Sequence, residues 1–268
     1  MTKHDVEQLL LEAFRSTPGN IIEKTSAGDE RITGLRLYDE PVVGIAAADD
    51  ELFVKFKQPG IVGPQSLTPS EWLPGAQSVI SFFLPFSDRV KQSNAGQSSC
   101  ASLEWVYARI EGQAFLMSCA CALGEKLRER GYGVCIPAAD PRFAVDISIF
   151  SSNWSERHAA FAAGLGTFGK SRGLITEKGM AGRFGSLIIT EKIEADVRPY
   201  TDAYEYCIGC GACARRCPVS AIPDNGIKDQ LICAPFVDNS KIEFAPRYGC
   251  GLCQTAVPCE SGIPRRKK

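Results

Sequence analysis

The sequence contains no apolar run long enough to cross a membrane. None of its stretches approaches the roughly 18 consecutive apolar residues that a membrane-spanning helix requires. The opening segment, Met1–Glu7, is polar and charged, leads into no apolar signal segment and contains no twin-arginine export motif. We therefore expect a cytoplasmic protein without a membrane partner.

The sequence also lacks an excess of either charge. It has 30 Lys and Arg residues against 31 Asp and Glu residues, which gives a formal net charge of −1. This balance provides no global electrostatic footprint for nucleic acid, so we do not expect a nucleic-acid partner. The one dense basic run, Arg265–Lys268, is expected to be a solvated tail.

Histidine is scarce, with two residues, whereas cysteine is abundant, with twelve. Eight of the twelve cysteines lie between Cys207 and Cys259, at spacings typical of metal ligands. A chain of 268 residues that is 44% hydrophobic can build a core without disulfide staples. We therefore interpret these eight cysteines as metal ligands in a reducing compartment.

Apolar periodicity and turn residues predict alternating helices and strands up to about residue 198. We predict an α/β domain over residues 1–198, a boundary at Arg198-Pro199 and a small domain over residues 199–268, which together form an α+β protein. The predicted helices cover residues 6–14, 103–127 and 156–163, and the predicted strands cover residues 42–47, 78–85, 134–137, 143–149, 174–176 and 184–190.

The small domain opens with a dense cysteine motif. Residues 207–218 have the spacing C-x2-C-x2-C-x3-C-P. Three thiolates spaced in this way can wrap one corner of a [4Fe–4S] cluster, while the fourth ligates the other cluster in two-cluster proteins. Zinc is the alternative, but a zinc site needs only two cysteine pairs. The motif therefore favours iron–sulfur clusters.

Four further cysteines complete a second ligand shell. By the crossing rule, the first cluster takes Cys207, Cys210, Cys213 and Cys259, and the second takes Cys217, Cys233, Cys250 and Cys253. Cys259 is the least regular ligand, because five residues, including Val257-Pro258, separate it from Cys253. The other cysteines lack such spacing and are interpreted as small buried hydrophobic residues: Cys100, Cys119, Cys121 and Cys135.

A glycine-rich segment follows the predicted helix 156–163. Gly164, Gly166 and Gly169 precede Lys170, a pattern that could cradle a phosphate or another ligand. It is not a dinucleotide-binding fingerprint, because the glycines follow a helix rather than a strand. A tight packing turn is an equally good interpretation of the residues alone.

Several motifs resemble those of a known family. Residues 163–170, read with 174–176 and 182–183, are similar to the central motif of epoxyqueuosine reductases and to the corrinoid domain of reductive dehalogenases. Residues 72–80 and the paired cysteine sets match the same family. The resemblance covers nearly the whole chain. It implies a nitroreductase-like α/β domain that binds cobalamin, followed by a two-[4Fe–4S] ferredoxin-like domain.

The resemblance also implies roles for individual residues. The cobalamin-binding residues would be Gly164, Gly166, Gly169, Lys170 and Arg183. Asp146 is the candidate proton donor, although it lies farther from the Glu156-Arg157 pair than the family spacing, and an Asp that caps a turn is the alternative. Neither His4 nor His158 has the sequence context of a cobalt ligand, so a bound cobalamin would be in the base-off form.

Three functions remain open on this interpretation. The leading hypothesis is a cobalamin-dependent reductase that receives electrons from a small donor such as ferredoxin or flavodoxin. The second is an electron-transfer or reductive-activation protein without a substrate of its own. The third is a short-form tRNA epoxyqueuosine reductase, which the neutral charge and the lack of the family's C-terminal helical-repeat module disfavour.

Overall fold

A computed structural model describes residues 1–25 and 28–265, so residues 266–268 of the predicted basic tail lie outside the described part. The helices are α1 (Lys3–Ser16), α2 (Glu51–Lys55), α3 (Pro69–Trp72), α4 (Asp88–Ala95), α5 (Leu103–Glu129), α6 (Glu156–Ala162), α7 (Ala212–Arg215), α8 (Gln230–Asn239) and α9 (Lys241–Phe244). The strands are β1 (Val42–Ala47), β2 (Ser78–Pro85), β3 (Val134–Cys135), β4 (Val145–Asp146), β5 (Ser151–Ser152), β6 (Gly166–Phe168), β7 (Leu174–Thr176) and β8 (Gly182–Ile189). Short 3₁₀ turns cover Glu30–Ile32, Pro137–Ala139 and Leu252–Gln254.

A four-stranded sheet forms the centre of the larger domain. Its strand order is β1-β2-β8-β3, and each neighbouring pair is antiparallel. The register places Val42 opposite Phe83 and Ser78 opposite Ile189. Helices and an antiparallel sheet in one chain place the protein in the α+β class, as the sequence predicts.

Both faces of this sheet are covered by helices. Ile80, Phe82 and Leu84 share one core with α1 and α5, whereas Val79 and Ile188 share another with α6. Successive side chains of a strand point to opposite faces, so a strand buried on both faces is mostly apolar rather than alternating. This is why β2, whose eight residues are all buried, is apolar apart from Ser78 and Ser81.

Helix α5 connects the core to the cysteine-rich region. Ser102 caps its start by accepting a hydrogen bond from the Trp105 backbone N–H at 3.1 Å. Trp105 and Arg109 of this helix lie against the segment that carries Cys250. No helix in residues 1–25 or 28–265, α5 included, is long and apolar enough to cross a membrane.

The cysteine-rich region is tied to the larger domain by backbone and side-chain hydrogen bonds. The Met180 N–H donates to the Cys259 carbonyl at 3.0 Å, and the Asn94 side chain donates to the Cys250 carbonyl at 3.2 Å. These contacts show that the two parts of the chain touch, but they do not locate a boundary between them. The predicted boundary at Arg198-Pro199 therefore stays a prediction.

Two local predictions differ from the structure. The predicted strand 143–149 exists only as β4, which pairs with β5 in an exposed hairpin; Val145 and Ile147 have no second layer against which to pack. Conversely, the segment Gly166–Phe168 is a strand, β6, paired with β7. Its glycines obscured the period-2 pattern of a strand.

Gly44, in the middle of β1, marks the closest approach between the sheet and the end of α6. A Cβ atom at Gly44 would lie 2.3 Å from the Ala163 carbonyl oxygen. We predict that Gly44→Ala costs about 1–3 kcal/mol, as overpacking does, and lowers the Tm by roughly 2–4 °C per kcal/mol. Gly96→Ala is the control, because its Cβ would meet nothing nearer than 3.7 Å. Equal melting temperatures for the two variants would contradict the packing argument.

Candidate metal and cofactor site

Several of the eight cysteines of the small domain lie near enough to one another to influence each other's pKa, although no three His, Cys, Asp or Glu side chains in residues 1–25 and 28–265 are already arranged as a metal site. Burial raises the pKa of Cys259 to about 12, and the neighbouring thiols of Cys213, Cys207 and Cys210 raise it further. Burial also raises the pKa of Cys250 to about 12, with contributions from Cys253, Cys233 and Cys217. These neighbours agree with the predicted first set (Cys207, Cys210, Cys213 and Cys259) and second set (Cys217, Cys233, Cys250 and Cys253), which stay a prediction.

The two sets are built on the same local turn. Gly211, between Cys210 and Cys213, has φ 69° and ψ 2°, and Gly251, between Cys250 and Cys253, has φ 69° and ψ 0°. Glycine adopts this left-handed conformation at no steric cost, so the chain can turn sharply between two cysteines. In each case a short helical turn follows and carries the second cysteine of the pair.

The irregular spacing before Cys259 has a packing reason. Val257, in the five-residue spacer between Cys253 and Cys259, is buried with Ile175 and Met180 in a small hydrophobic cluster that Cys213 and Cys259 border. The extra turn thus anchors the Cys259 segment to the larger domain. It also brings Cys259 beside the first three cysteines of the motif.

The second set lies deeper than the first. Cys210 is exposed, whereas Cys253 is 9% exposed. Burial raises the pKa of Cys213, and the nearby thiol of Cys253 raises it further. The Ala221 N–H donates to Cys217 Sγ at 3.2 Å, the kind of contact that tunes a cluster's reduction potential. The arrangement is suited to moving electrons from the surface inward.

A cavity of about 660 Å³ adjoins the second set. All four cysteines of that set line it, together with residues of α5, α6 and β8 from the larger domain. This volume falls in the range of roughly 300–1,000 Å³ that is typical of ligand and cofactor sites. The cavity therefore meets the deeper cysteine set on one side and the larger domain on the other.

Cationic side chains dominate the wall of the cavity on the side of α5 and β8. Arg109 and Arg183 line it, and Arg183 Nη2 donates to the Arg109 carbonyl at 2.8 Å. The Nε atoms of both residues are buried and have no hydrogen-bond partner among the described residues. A buried donor without an acceptor is costly, so this wall is suited to a ligand that carries oxygen acceptors.

Glu156, at the start of α6, is the carboxyl group of the cavity wall. Burial raises the pKa of Glu156 to about 8 and outweighs the lowering effect of the nearby Ser186 hydroxyl and Trp154 indole N–H. Its Oε2 atom accepts a hydrogen bond from Ser186 Oγ at 2.6 Å. At neutral pH this side chain is therefore mostly a neutral acid. Sequence reasoning missed its role, because a Glu in the first turn of a helix has an ordinary explanation in the helix dipole.

The structure separates the five predicted cofactor-binding residues. Arg183 lines the large cavity, whereas Gly169 and Lys170 lie beside the first cysteine set. Gly164 and Gly166 line neither the large cavity nor that region. A Cβ on Gly166 would lie 1.9 Å from the Ile175 carbonyl oxygen across the β6–β7 pair. The interpretation of 164–170 as one ligand loop is thus corrected to a packing turn and strand.

Lys170 also has a structural use. Its ammonium group donates to the Asp224 carbonyl, and its own carbonyl accepts from the Lys228 N–H at 2.8 Å. These bonds tie the end of β6 to the chain that leads into α8. The lysine therefore supports the small domain rather than the large cavity.

Asp146 is exposed in the β4–β5 hairpin and does not line the cavity. Hydrogen bonds from the Ser148 hydroxyl and backbone N–H lower its pKa below the ordinary value. A carboxyl held in the ionised form at the surface is a poor proton donor at neutral pH. This geometry corresponds to the alternative interpretation, an Asp that caps a turn.

Of the remaining cysteines, Cys119 and Cys135 are buried in the larger domain, whereas Cys100 and Cys121 are half-buried, which corrects the prediction for those two. His158 also packs within this domain. Cys119 is buried, and burial raises its pKa to about 12. Burial lowers the pKa of His158 to about 3, and its ring contacts Phe56 and Phe168. His158 Nδ1 is 2.8 Å from Ser155 Oγ. The imidazole is thus neutral and packed between aromatic rings.

Comparison with known proteins identifies relatives in sequence. Residues 201–222 match the family described as "4Fe-4S binding domain". Epoxyqueuosine reductase of Listeria monocytogenes is 26% identical over 226 residues, covering 79% of this chain and 55% of that protein. Epoxyqueuosine reductase of Aliivibrio fischeri is 29% identical over 215 residues, covering 73% and 53%. The chain thus spans about half the length of these curated relatives.

Solved structures share the fold at low identity. An epoxyqueuosine reductase crystal structure matches with a TM-score of 0.57 and 19% identity, over 98% of this chain and 68% of that one. Another, with an epoxyqueuosine-modified tRNA stem loop, gives 0.54 and 20% over 97% and 68%. A catabolic reductive dehalogenase in complex with 3-bromo-4-hydroxybenzoic acid gives 0.52 and 13% over 97% and 37%. The predicted resemblance to iron–sulfur proteins of the epoxyqueuosine reductase and reductive dehalogenase type is thereby confirmed.

Proposed function

We propose that this chain is a reductase that passes electrons through two [4Fe–4S] clusters to a corrinoid and a reducible substrate in the large cavity. The observation that carries the proposal is the position of the second cysteine set, which forms part of the cavity wall. An electron on the deeper cluster would reach a group in the cavity directly.

The cavity wall fits a corrinoid. The buried Nε donors of Arg109 and Arg183 require acceptors, and a corrinoid carries amide and phosphate oxygens at its periphery. A bound corrinoid would supply low-valent cobalt chemistry, which is the cofactor's own.

The two sets of cysteines define an electron path with a direction. The first set, with Cys210 exposed, would accept electrons from a small donor such as ferredoxin or flavodoxin. The nearness of the Cys213 and Cys253 thiols supports an arrangement in which the two clusters would lie side by side. Burial raises the pKa of Cys253, and the positive charge of Lys228 opposes this shift; the same charge would offset part of the negative charge of the deeper cluster.

The substrate follows less directly from the geometry. The names of the sequence relatives support the tRNA epoxyqueuosine reductase alternative, and the dehalogenase structure supports a small aromatic anion. The cationic wall suits an anionic substrate, which both classes can provide. Turnover of an epoxyqueuosine-modified tRNA stem loop or of 3-bromo-4-hydroxybenzoic acid by the loaded, reduced protein is the direct test.

The cluster assignment predicts how iron is lost when ligands are replaced in pairs. Wild-type protein prepared without oxygen should hold about eight iron and eight sulfide per chain, because each cluster is a [4Fe–4S] unit. Cys210→Ala/Cys259→Ala should retain about four iron, since both residues belong to the first set. Cys210→Ala/Cys253→Ala should retain almost none, since each set then lacks a ligand. Iron and sulfide analysis with electron paramagnetic resonance measures the outcome.

Cys119→Ala is the matched control and should keep all eight iron, because Cys119 is buried in the core of the larger domain. Equal iron contents in the two double variants would contradict the crossing of ligands between the sets. About four iron in carefully reconstituted wild-type protein would contradict the presence of two clusters.

The cavity wall predicts which cation holds the corrinoid. Arg183→Gln should weaken cobalamin binding by roughly ten- to a hundredfold in Kd, because a hydrogen bond from a charged donor contributes about 1.5–3 kcal/mol. Spectroscopic titration of the fully clustered protein with cobalamin measures the change. Arg15→Gln is the control, because Arg15 pairs with Glu40 on the surface.

Two outcomes of this titration would contradict the proposed corrinoid site. Unchanged binding by Arg183→Gln would show that the α5–β8 wall does not contact the corrinoid. Wild-type protein that binds no cobalamin at concentrations well above micromolar would overturn the corrinoid proposal. The electron-transfer alternative, which needs only the clusters, would then take its place.

A further inference from the structure

We propose that Glu156 is the catalytic acid that gives a proton to the substrate reduced in the large cavity. This inference rests on the proposed function. The clusters would supply electrons but no proton, and Glu156 would supply the proton that the reduction also needs. Glu156 is the residue of the cavity wall that combines a carboxyl group with a fixed hydrogen-bond chain behind it. Asp146, the sequence candidate, faces solvent instead.

The hydrogen-bond chain behind Glu156 has a fixed polarity. Trp154 Nε1 is a donor only, and it donates to Ser186 Oγ at 2.9 Å. Ser186 therefore uses its single proton to donate to Glu156 Oε2 at 2.6 Å. With Oε2 engaged as an acceptor, the acidic proton of the neutral carboxyl group is on Oε1. These two hydrogen bonds hold the Glu156 carboxyl group in one orientation and leave its proton available for transfer.

Burial keeps the carboxyl group neutral, although cations lie near it and the thiols of the second cysteine set line the same cavity. The strands that pack on α6 other than β8, namely β1, β2 and β6, contain no ionisable residue, and α2 contributes Glu51 and Lys55 as an exposed ion pair. The other ionisable groups on α6 and around the cavity are the basic side chains Arg157, His158, Arg183, Arg109 and Lys228 and the thiols Cys217, Cys233, Cys250 and Cys253. Burial outweighs them and raises the pKa of Glu156 to about 8.

The sign of the pH dependence follows from this shift. The carboxyl group is protonated below pH 8 and loses its proton as the pH rises through about 8. It can therefore act as an acid at neutral pH and cannot do so in alkaline solution. Its ordinary pKa, 4.5, would leave it ionised across the whole neutral range.

The transfer step balances for both probe substrates. For an aryl bromide, two electrons arrive one at a time from the reduced donor through the clusters, the C–Br bond breaks and bromide leaves. The Oε1 proton forms the new C–H bond, so R–Br, two electrons and one proton give R–H and Br⁻. For reduction of an epoxide to an alkene, Glu156 gives the first of two protons and water gives the second, and water is released. The Glu156 carboxylate then regains its proton from water.

Glu156→Gln is the decisive variant, because glutamine preserves the volume and the acceptor for Ser186 but cannot transfer an acidic proton. We expect it to keep its clusters and its cobalamin binding and to lose about 10²–10⁴-fold in the rate of product formation. The probes are 3-bromo-4-hydroxybenzoic acid and the epoxyqueuosine-modified tRNA stem loop. The wild-type rate should fall as the pH rises through about 8, and the residual rate of the variant should lack this dependence.

An infrared titration tests the acid without turnover. The clustered protein should show a protonated carboxyl band that disappears with a midpoint near pH 8, and Glu156→Gln should lack this band. Glu194→Gln, at an exposed position, is the control and should keep both the band and the rate. The absence of the band from wild-type protein, or a variant that reacts at the wild-type rate, overturns the proposal.

The remaining outcomes separate this proposal from the proposed function. Loss of the rate in Asp146→Asn, with Glu156→Gln unaffected, would transfer the role to the hairpin and overturn the assignment. If wild-type protein turns over neither probe, the proposed function fails, and the proton transfer fails with it. The infrared band would still report whether Glu156 is a neutral acid in that case.

Discussion

The position of the cavity depends on the contact between Gly251 and Trp105. A Cβ atom at Gly251 would lie 2.0 Å from the Trp105 indole carbons, so only glycine allows this approach. Because Gly251 lies between Cys250 and Cys253, the indole fixes the deeper cysteine set relative to α5. Helix α5 in turn packs on the sheet that carries Arg183. The two walls of the cavity are thus positioned by one aromatic side chain and the backbone pressed against it.

Much of this arrangement could be predicted from the sequence. The main elements follow from apolar periodicity, and β2 and α5 appear where the pattern places them. The grouping of the eight cysteines into two sets rests on their spacing, because a cubane cluster imposes its own spacing on the chain, and it stays a prediction. The insertion before Cys259 could not be explained from the sequence. Its reason is the burial of Val257 against Ile175 and Met180, which are distant in the chain.

The residues of the cavity were harder to predict. Glycines near a lysine suggested a ligand loop, yet Gly166 is required by strand pairing and Lys170 supports the small domain. Glu156 escaped notice because its chemistry depends on burial and on Ser186, thirty residues farther along the chain. Patterns local in sequence identify ligands whose spacing is local. Such local patterns do not identify Glu156, because its raised pKa results from the packing of α6 on β8.

The crossing of the two ligand sets has a consequence for how the protein is made. On the proposed assignment, the ligand shell of the first cluster is incomplete until Cys259 has been synthesised. The shell of the second cluster, which begins with Cys217, is incomplete until Cys233 and the Cys250–Cys253 pair have been synthesised. Neither cluster can therefore close its ligand shell while the ribosome is still translating the segment before Cys250. Cluster insertion must follow synthesis of the whole small domain. Until then the thiols of the nascent chain are exposed and can be oxidised before iron binds to them.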